Sequence, residues 1–497
     1  MTELFDSLTR GYLGKRLIKA LSLPVPAPLL RPSEIRFSNQ KTLQGHIILS
    51  GFAPDDLFKT CMQALIAENS SHHIDPKLHW HGATSAQSQL LINTHGLQTL
   101  PSHLPPNSRG TFSALILNTQ SYRSPQAIDQ LYTDCKALLP LLDKRGHAIL
   151  LSPIDEQSNP TSKTSGITNL FLEGFTSLVK CLAKEIASEA ITINHLMVNP
   201  QQLSAIPTLL DYLLSHRSCY VTGQALTVGD SVTEHKWPLR ARQANVKSPL
   251  ERTPANQPLA LLTGAGGCIG RAITHKLAAN GFKLILADRT QKQFVLRDLA
   301  EQTGGTPLTL DLTRPNSIAI LSDCIDEHGG QLHALIHNAG ITQDRLFKNM
   351  TPEAWQNVLD INLWAPAEIT QFLLKNKKIA DHGRIVLMSS VVALSGNRGQ
   401  SQYCFSKAGL IGLMRDLLPT IAKSGITINA IAPGFIDTPM TRKIPGHIRE
   451  FTKRLNAFAQ PGHAEDVAEA VSLCCDPTAE HFTGNILRVC GLMPCGR

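Results

Sequence analysis

The tetrapeptide Ile-Thr-Ile-Asn occurs twice, at Ile191–Asn194 and at Ile426–Asn429, and the agreement around it constrains the fold more than any other feature of the chain. Laid without a gap over Lys407–Asn429, Leu172–Asn194 is identical at nine of 23 positions, including Gly174 with Gly409, Leu178 with Leu413, Leu182 with Leu417 and Ile186 with Ile421. Apolar residues recurring every four positions mark the buried stripe of a helix, and the β-branched run that follows has the character of a strand. Further segments match in the same order: Ala114–Gln120 with Ala334–Gly340, His147–Pro153 with Arg384–Ser390, and Tyr220–Val228 with Phe482–Val489. A chance tetrapeptide would not bring its neighbours along in order, so the chain reads as a tandem of two related α/β domains.

Residues 230–258, DSVTEHKWPLRARQANVKSPLERTPANQP, are polar, proline-bearing and without sustained period, which is a linker signature. The expected division is a first domain over 1–229, a linker over 230–258 and a second domain over 259–497. At 497 residues the chain is long enough for two such cores without disulfide or metal support. In the second half, LALLTGA, KLILADR, TPLTLDL, HALIHNAG, RIVLMSS, ITINAIAPG and NILRV alternate with helical patterns. Apolar strands separated by helices predict a parallel sheet covered on both faces, the doubly wound Rossmann-type plan, whose ligands bind beyond the carboxyl ends of the strands.

Composition narrows the setting. The chain is 42% apolar and 17% charged, with no apolar run long enough to span a membrane, so a globular cytoplasmic protein is expected. Eleven cysteines form no CxxC pair, which predicts neither a disulfide framework nor a metal site. A net charge of +8 is spread over the chain, a pattern unlike a nucleic-acid footprint but compatible with anionic carriers.

The first strand of the second half runs into TGAGGCIGRAI, Thr263–Ile273. Gly264 and Gly270 hold the outer positions of a phosphate-binding turn, and Cys268, Ile269 and Gly270 open the helix whose amino terminus would face a pyrophosphate. Asp288 ends the next strand, where its carboxylate would accept from an adenosine ribose and repel a 2′-phosphate, favouring NADH over NADPH, with Arg289 beside it as a competing phosphate partner. Asp311, closing the third strand in LTLDL, is placed either at the adenine edge or simply in a strand-end turn.

In SSVVALSGNRGQSQYCFSKAGL, Tyr403 and Lys407 stand four apart at the start of the repeated helix, so they share one face. An ammonium beside a phenol stabilises phenolate, and Ser390, thirteen residues before the tyrosine, offers a hydroxyl to a carbonyl oxygen.

These residues resemble the short-chain dehydrogenase/reductases, and within them the 3-oxoacyl-[acyl-carrier-protein] reductases of fatty acid synthesis. The resemblance spans Leu259–Arg497 and rests on the glycine turn, HNAG at His337–Gly340, INLWAP with Asn362, Ser390, Tyr403, Lys407 and APGFIDTPM, in family order. It implies that Tyr403 protonates a ketone oxygen as hydride arrives, that Ser390 polarises that oxygen, that Lys407 holds the nicotinamide ribose beside Tyr403, and that Asn362 holds a relay water. It further implies that Asn338 and Gly340 turn beside the adenosine ribose and that Pro433, Gly434 and Thr438 surround the carboxamide. The tandem layout is similar to the high-molecular-weight members of the group, whose first domain is a degenerate, flavodoxin-like Rossmann domain. Acyl thioesters of acyl carrier protein or coenzyme A are the implied substrates and a homodimer through the second domain the implied assembly. The same site working on coenzyme A esters would serve as a 3-hydroxyacyl-CoA dehydrogenase in breakdown or an acetoacetyl-CoA reductase in polyester synthesis.

Two departures stand out. Cys268 replaces the middle glycine of the turn and Gly267 precedes it; a thiol there raises the prospect of an oxidation that blocks the cofactor. The first copy has Thr168, Leu172 and Pro153 where the second has Tyr403, Lys407 and Ser390, so it is expected to repeat the fold without the chemistry. His337 is expected to be a satisfied strand-end residue, and substrate choice is expected to lie in Met440–His463, with its several basic residues.

Overall fold

The computed structural model describes residues 27–31, 46–51, 56–67, 77–81, 98–100, 110–154, 165–229, 257–442 and 446–493. The chain forms two compact units, the first comprising Met1–Gly229, Pro439–Gly462 and Cys490–Pro494, the second Asp230–Thr438, His463–Val489 and Cys495–Arg497. Most of the expected linker, residues 230–256, lies outside the described residues.

In the first unit, strands β1 (His46–Ser50), β2 (Lys77–His81), β3 (Gln98–Thr99), β4 (Phe112–Asn118), β5 (Leu142–Pro153), β6 (Thr192–Val198) and β7 (Ala225–Val228) form one parallel sheet in the order β3-β2-β1-β4-β5-β6-β7. Helices α1 (Asp56–Ala67), α2 (Pro125–Leu138), α3 (Ser165–Ile186) and α4 (Ile206–Leu213) connect them. Ser124 starts α2 by accepting the Ala127 amide at 3.2 Å, with Pro125 at the first turn, where its missing N–H leaves nothing unpaired.

The second unit repeats the plan. Strands β8 (Leu259–Thr263), β9 (Lys283–Asp288), β10 (Thr306–Thr309), β11 (Leu332–His337), β12 (Ile379–Met388), β13 (Thr427–Pro433) and β14 (Ile486–Val489) run parallel in the order β10-β9-β8-β11-β12-β13-β14. Its helices are α5 (Cys268–Ala279), α6 (Gln293–Thr303), α7 (Ser317–Glu327), α8 (Pro352–Leu359), α9 (Ala365–Lys375), α10 (Ser401–Ile421) and α11 (Ala464–Cys474). Both sheets therefore have the Rossmann order, reversing direction of growth between β1 and β4 and between β8 and β11. This corrects the flavodoxin-like part of the expectation, because a flavodoxin-like sheet runs 2-1-3-4-5.

The repeated segment is α3 with β6 and α10 with β13. In α10 the shared positions Leu413, Leu417 and Ile421 are buried with Leu261, Ile385 and Ile428 of the sheet. In α3 the deepest side chains are Phe175, Val179 and Ala183, while Leu178, Leu182 and Ile186 are only partly buried. The positions in α10 equivalent to Phe175 and Val179, Leu410 and Met414, are likewise almost fully buried, so the innermost stripe is kept in both copies. The tetrapeptide keeps its role. Asn194 donates to the Val221 carbonyl at 3.0 Å and accepts the Gln224 amide at 3.0 Å. Asn429 donates to the Phe482 carbonyl at 2.8 Å and accepts the Asn485 amide at 3.0 Å. Both carboxamides are fully buried, and each clamps the turn leading to its sheet's last strand, so replacing either would strand buried backbone groups.

Candidate active site

The expected glycine turn follows β8. Gly264 has φ +68°, and a Cβ on it would stand 2.8 Å from the Ala339 Cα; on Gly270 a Cβ would stand 2.1 Å from the Gly264 carbonyl oxygen. Only glycine suits either place. Helix α5 begins after Gly267 with no side chain capping it. That arrangement, a tight glycine turn leading into an uncapped helix start, fits a pyrophosphate. Cys268 and Ile269, in the first turn of α5, are partly exposed.

Asp288 accepts the Gly266 amide at 2.9 Å through one oxygen and the Arg289 amide at 2.8 Å through the other, so the carboxylate is fixed beside the turn. A Cβ on Gly266 would meet Lys292 at 3.0 Å and Asp288 at 3.1 Å, which brings Lys292 to the same place. Lys292 was not foreseen; its spacing from Asp288 carries no pattern. Asp311 lies beyond the end of β10, where it accepts the Thr313 hydroxyl at 2.7 Å and amide at 3.1 Å. Those two bonds, helped by Arg314, hold its carboxyl below the ordinary range, as in a local turn.

Asn338 binds the end of β11 to the turn, donating to the Gly264 carbonyl at 3.0 Å while its own amide donates to the Thr263 hydroxyl at 3.1 Å. Gly340 lets two side chains approach: a Cβ there would lie 3.1 Å from Lys407 Nζ and 3.3 Å from Asn362 Oδ1. Asn362 sits in a π-helical turn, Asp360–Trp364, of the kind that often marks a functional position. Its Oδ1 accepts the Ile341 amide at 2.8 Å, and its Nδ2 donates to the Ile341 carbonyl at 2.9 Å and to the Ser406 hydroxyl at 3.2 Å.

Ser390 follows β12 and faces Tyr403 on α10 closely enough to favour the ionised phenol. Burial pushes the Tyr403 phenol up to about 12, partly offset by Ser390, with Asp344 adding a smaller upward push. Lys407 is buried, donates to the Met388 carbonyl at 2.8 Å, and lies 5.7 Å from the centre of the Tyr403 ring. Burial lowers its ammonium to about 8. The Met388 carbonyl, Ser406 and Asp344 are therefore parts of the site that motif spacing did not reveal, because backbone carbonyls and loop neighbours have no sequence signature.

Pro433 closes β13 and accepts the Val391 amide at 3.1 Å; Gly434 donates to the Val489 carbonyl at 2.9 Å, and Thr438 ends this stretch of the unit. All candidate residues thus belong to one unit, and all but Asn362, which lies between α8 and α9, stand at or just after the carboxyl ends of its strands or open the helices after them. His337 is buried with Nε2 2.8 Å from the Thr370 hydroxyl, while Nδ1 has no partner, so the strand-end histidine is only half satisfied. Burial holds it neutral, at about 3.

In the first unit, polar side chains at β5, β6 and the end of β4 bond to one another. Thr119 and Ser152 hydroxyls lie 2.5 Å apart, Ser152 is 2.7 Å from His195 Nε2, and His195 Nδ1 is 2.8 Å from the Thr176 hydroxyl. Thr119, Ser152 and His195 are fully buried, so this chain fills space and saturates its own donors and acceptors. Elsewhere in the second unit, Cys324, Glu327 and His328 cluster on α7 and the residue after it, but both His328 nitrogens are taken, by Thr306 and by the Cys324 carbonyl, each at 2.8 Å.

Residues 264–491 match the family model described as Enoyl-(Acyl carrier protein) reductase. The 3-oxoacyl-[acyl-carrier-protein] reductase FabG of Escherichia coli (strain K12) is 36% identical over 237 residues, covering 47% of this chain and 96% of that protein. The protein of the same name from Thermotoga maritima is 33% identical over 236 residues, 46% of this chain and 95% of its own. The crystal structure of the angucycline C-6 ketoreductase LanV with bound NADP aligns at 27% identity and a TM-score of 0.44, covering 47% of this chain and 94% of that one.

Proposed function

This chain belongs to the 3-oxoacyl-[acyl-carrier-protein] reductases, oxidoreductases of the short-chain dehydrogenase/reductase family, and from that premise we propose that its second unit reduces a 3-oxoacyl thioester to the 3-hydroxyacyl thioester with NADH. The observation that carries the reading is the placing of Ser390 beside the Tyr403 phenol, whose ionised form it favours, with the buried Lys407 5.7 Å from the ring centre. Two hydroxyls at one place suit a ketone oxygen that must take up a proton, and this favours ketone over enoyl reduction.

The nicotinamide, when bound, supplies the hydride for the ketone carbon. Tyr403 gives its proton to the oxygen, which Ser390 steadies by a second hydrogen bond. Lys407, charged at neutral pH with its pKa at about 8, stabilises the resulting phenolate and offers donors to a ribose. Asn362, tied on both sides to Ile341, is rigid enough to order a relay water. Gly264, Cys268, Ile269 and Gly270 would hold the pyrophosphate, Asp288 and Asn338 the adenosine ribose with Gly340 in its turn, Asp311 the adenine edge, and Pro433, Gly434 and Thr438 the carboxamide.

Asp288 supports NADH, since its fixed carboxylate would face a 2′-phosphate, while Arg289 and Lys292 work against that preference. Acyl carrier protein or coenzyme A carries the substrate in this reading, and a coenzyme A dehydrogenase running in the oxidative direction would use the same groups. A homodimer is supported by Phe347, Trp364 and Phe405, exposed at 71%, 44% and 52%, with Trp355 packed between the first and last at 6.1 and 6.0 Å. No helix of the described residues is long and apolar enough to cross a membrane.

The test is the initial rate of acetoacetyl-CoA reduction with NADH and with NADPH, in the native protein and in Tyr403→Phe. Turnover favouring NADH, lost by about a hundredfold or more in the variant with cofactor binding retained, is the expected result. A variant as active as the native protein would sink the mechanism.

A further inference from the structure

We propose that Asp344 and Gln400 are positioning residues for Tyr403, tying the loop that leaves β11 to the loop that opens α10 and so holding the phenol at the reacting end of the site. The proposal rests on the ketoreductase reading above. It begins from a weakness in α10. Tyr403 is the third residue of that helix, in a first turn whose amides have no intrahelical partner. Gln400, the residue before the helix, caps none of them with its side chain. A tyrosine that must meet a ketone oxygen thus stands where a helix frays most readily, and some other contact has to fix it.

The second unit supplies that contact from its own loops. Gln400 turns its Nε2 to Asp344, donating to Oδ2 at 2.8 Å, and its Oε1 accepts from Asn397 Nδ2 at 2.8 Å. The other Asp344 oxygen accepts the Thr342 hydroxyl, so both ends of the carboxylate are engaged. Two further bonds run between the same segments: the Arg345 amide donates to the Gly399 carbonyl at 2.8 Å, and Gln402 Nε2 donates to the Gln343 carbonyl at 2.5 Å. Gln402, next to Tyr403 in the chain, is fully buried, whereas Asp344 is exposed. The first loop is anchored at its start as well, since Ile341 exchanges two hydrogen bonds with Asn362. Asp344 is near enough to act on the phenol, whose charged form it disfavours.

A hydrogen bond to an exposed carboxylate adds little to the stability of a whole domain. Its value here is positional, because displacing a proton donor by a fraction of an ångström costs rate rather than stability. The Arg345 and Gln402 bonds bring the two loops together, and the bond from Gln400 to Asp344 fixes the last residue before the helix that carries Tyr403.

The experiment compares native protein with Asp344→Ala, Gln400→Ala, the double variant and Asp344→Asn, whose amide oxygen still accepts from Gln400. Steady-state kinetics with acetoacetyl-CoA and NADH are read beside NADH affinity by fluorescence titration, the thermal midpoint, and amide exchange of the Ser401–Lys407 segment by mass spectrometry. The alanine variants should lose about ten- to thirtyfold in kcat, with the thioester KM and the NADH dissociation constant within about twofold and the midpoint unchanged. The double variant should be no worse than the poorer single one, as partners in one bond require, and Asp344→Asn should return to within about threefold of native. Exchange should quicken about fivefold in the alanine variants and not in Asp344→Asn. A kcat within about twofold of native in both alanine variants would overturn the proposal. So would an Asp344→Asn variant as impaired as Asp344→Ala, a change confined to the thioester KM, which marks substrate contact, or a parallel loss of NADH affinity and midpoint, which marks general loosening. If the native protein does not turn over the thioester, the ketoreductase reading falls by itself; faster exchange in the alanine variants, restored in Asp344→Asn, would still uphold the hold on Tyr403, and unchanged exchange would end it.

Discussion

Lys407 sends its ammonium to the carbonyl of Met388 at 2.8 Å. A cation this deeply buried is held by one backbone oxygen and by nothing of opposite charge among the contacts that shift its pKa, which is why burial alone brings it from 10.5 to about 8. Keeping that charge buried costs stability.

That relation gives a prediction of opposite signs for activity and stability. Because the folded pKa is depressed, the unfolded chain binds more protons between about pH 8 and 10.5, so stability rises with pH across that window and the full penalty is present below it. The shift corresponds to roughly 3 kcal/mol. Lys407→Met should therefore stabilise the protein at pH 7 by about 1–3 kcal/mol after loss of the Met388 hydrogen bond, while ketone reduction falls by a hundredfold or more. Chemical denaturation and initial rates on the same sample check both halves, and native activity should decline above pH 8.

The second prediction concerns cofactor choice. Asp288→Ala removes the carboxylate fixed by Gly266 and Arg289 and leaves Arg289 and Lys292 at the site. The ratio of kcat/KM for NADH over NADPH should fall about tenfold, equivalent to ~1.4 kcal/mol of relieved repulsion. An unchanged ratio would remove Asp288 from the ribose site.

Gly340→Ala tests the close approach at the reacting end. Its Cβ would press on Lys407 Nζ at 3.1 Å and Asn362 Oδ1 at 3.3 Å, both held by backbone partners. Displacements of a few tenths of an ångström at catalytic groups should lower kcat about ten- to a hundredfold with little change in thermal midpoint, since the residue's φ is ordinary.

Acid stability provides the fourth. His147, His195 and His337 are buried and held neutral at about 3. The unfolded chain takes up protons at these positions below about pH 6.5, so stability is lost as pH falls from 6.5 toward 3. His337→Gln should make the acid limb shallower by up to about 1.4 kcal/mol per pH unit; urea denaturation at several pH values reads the slope, and an unchanged limb would mean that the imidazole is not held neutral.

Much of this protein was settled by its sequence alone. The tandem plan, all seven strands of the second sheet and the pairing of Tyr403 with Lys407 depend on local patterns: apolar runs, four-residue spacing and glycines at a turn. Two carboxamides four positions into the same tetrapeptide then clamp the same turn in both sheets, a role no spacing rule announces. Tertiary structure alone decided where Pro439–Gly462 belongs, because burial of Phe458 and the hydrogen bonds of Gln460 join residues far apart in the chain. It also decided that the Rossmann strand order holds in the first sheet, and that Thr119, Ser152 and His195 join in one buried polar chain there. Such matters turn on which side chains meet across a fold, and the order of residues along one strand or helix does not contain them.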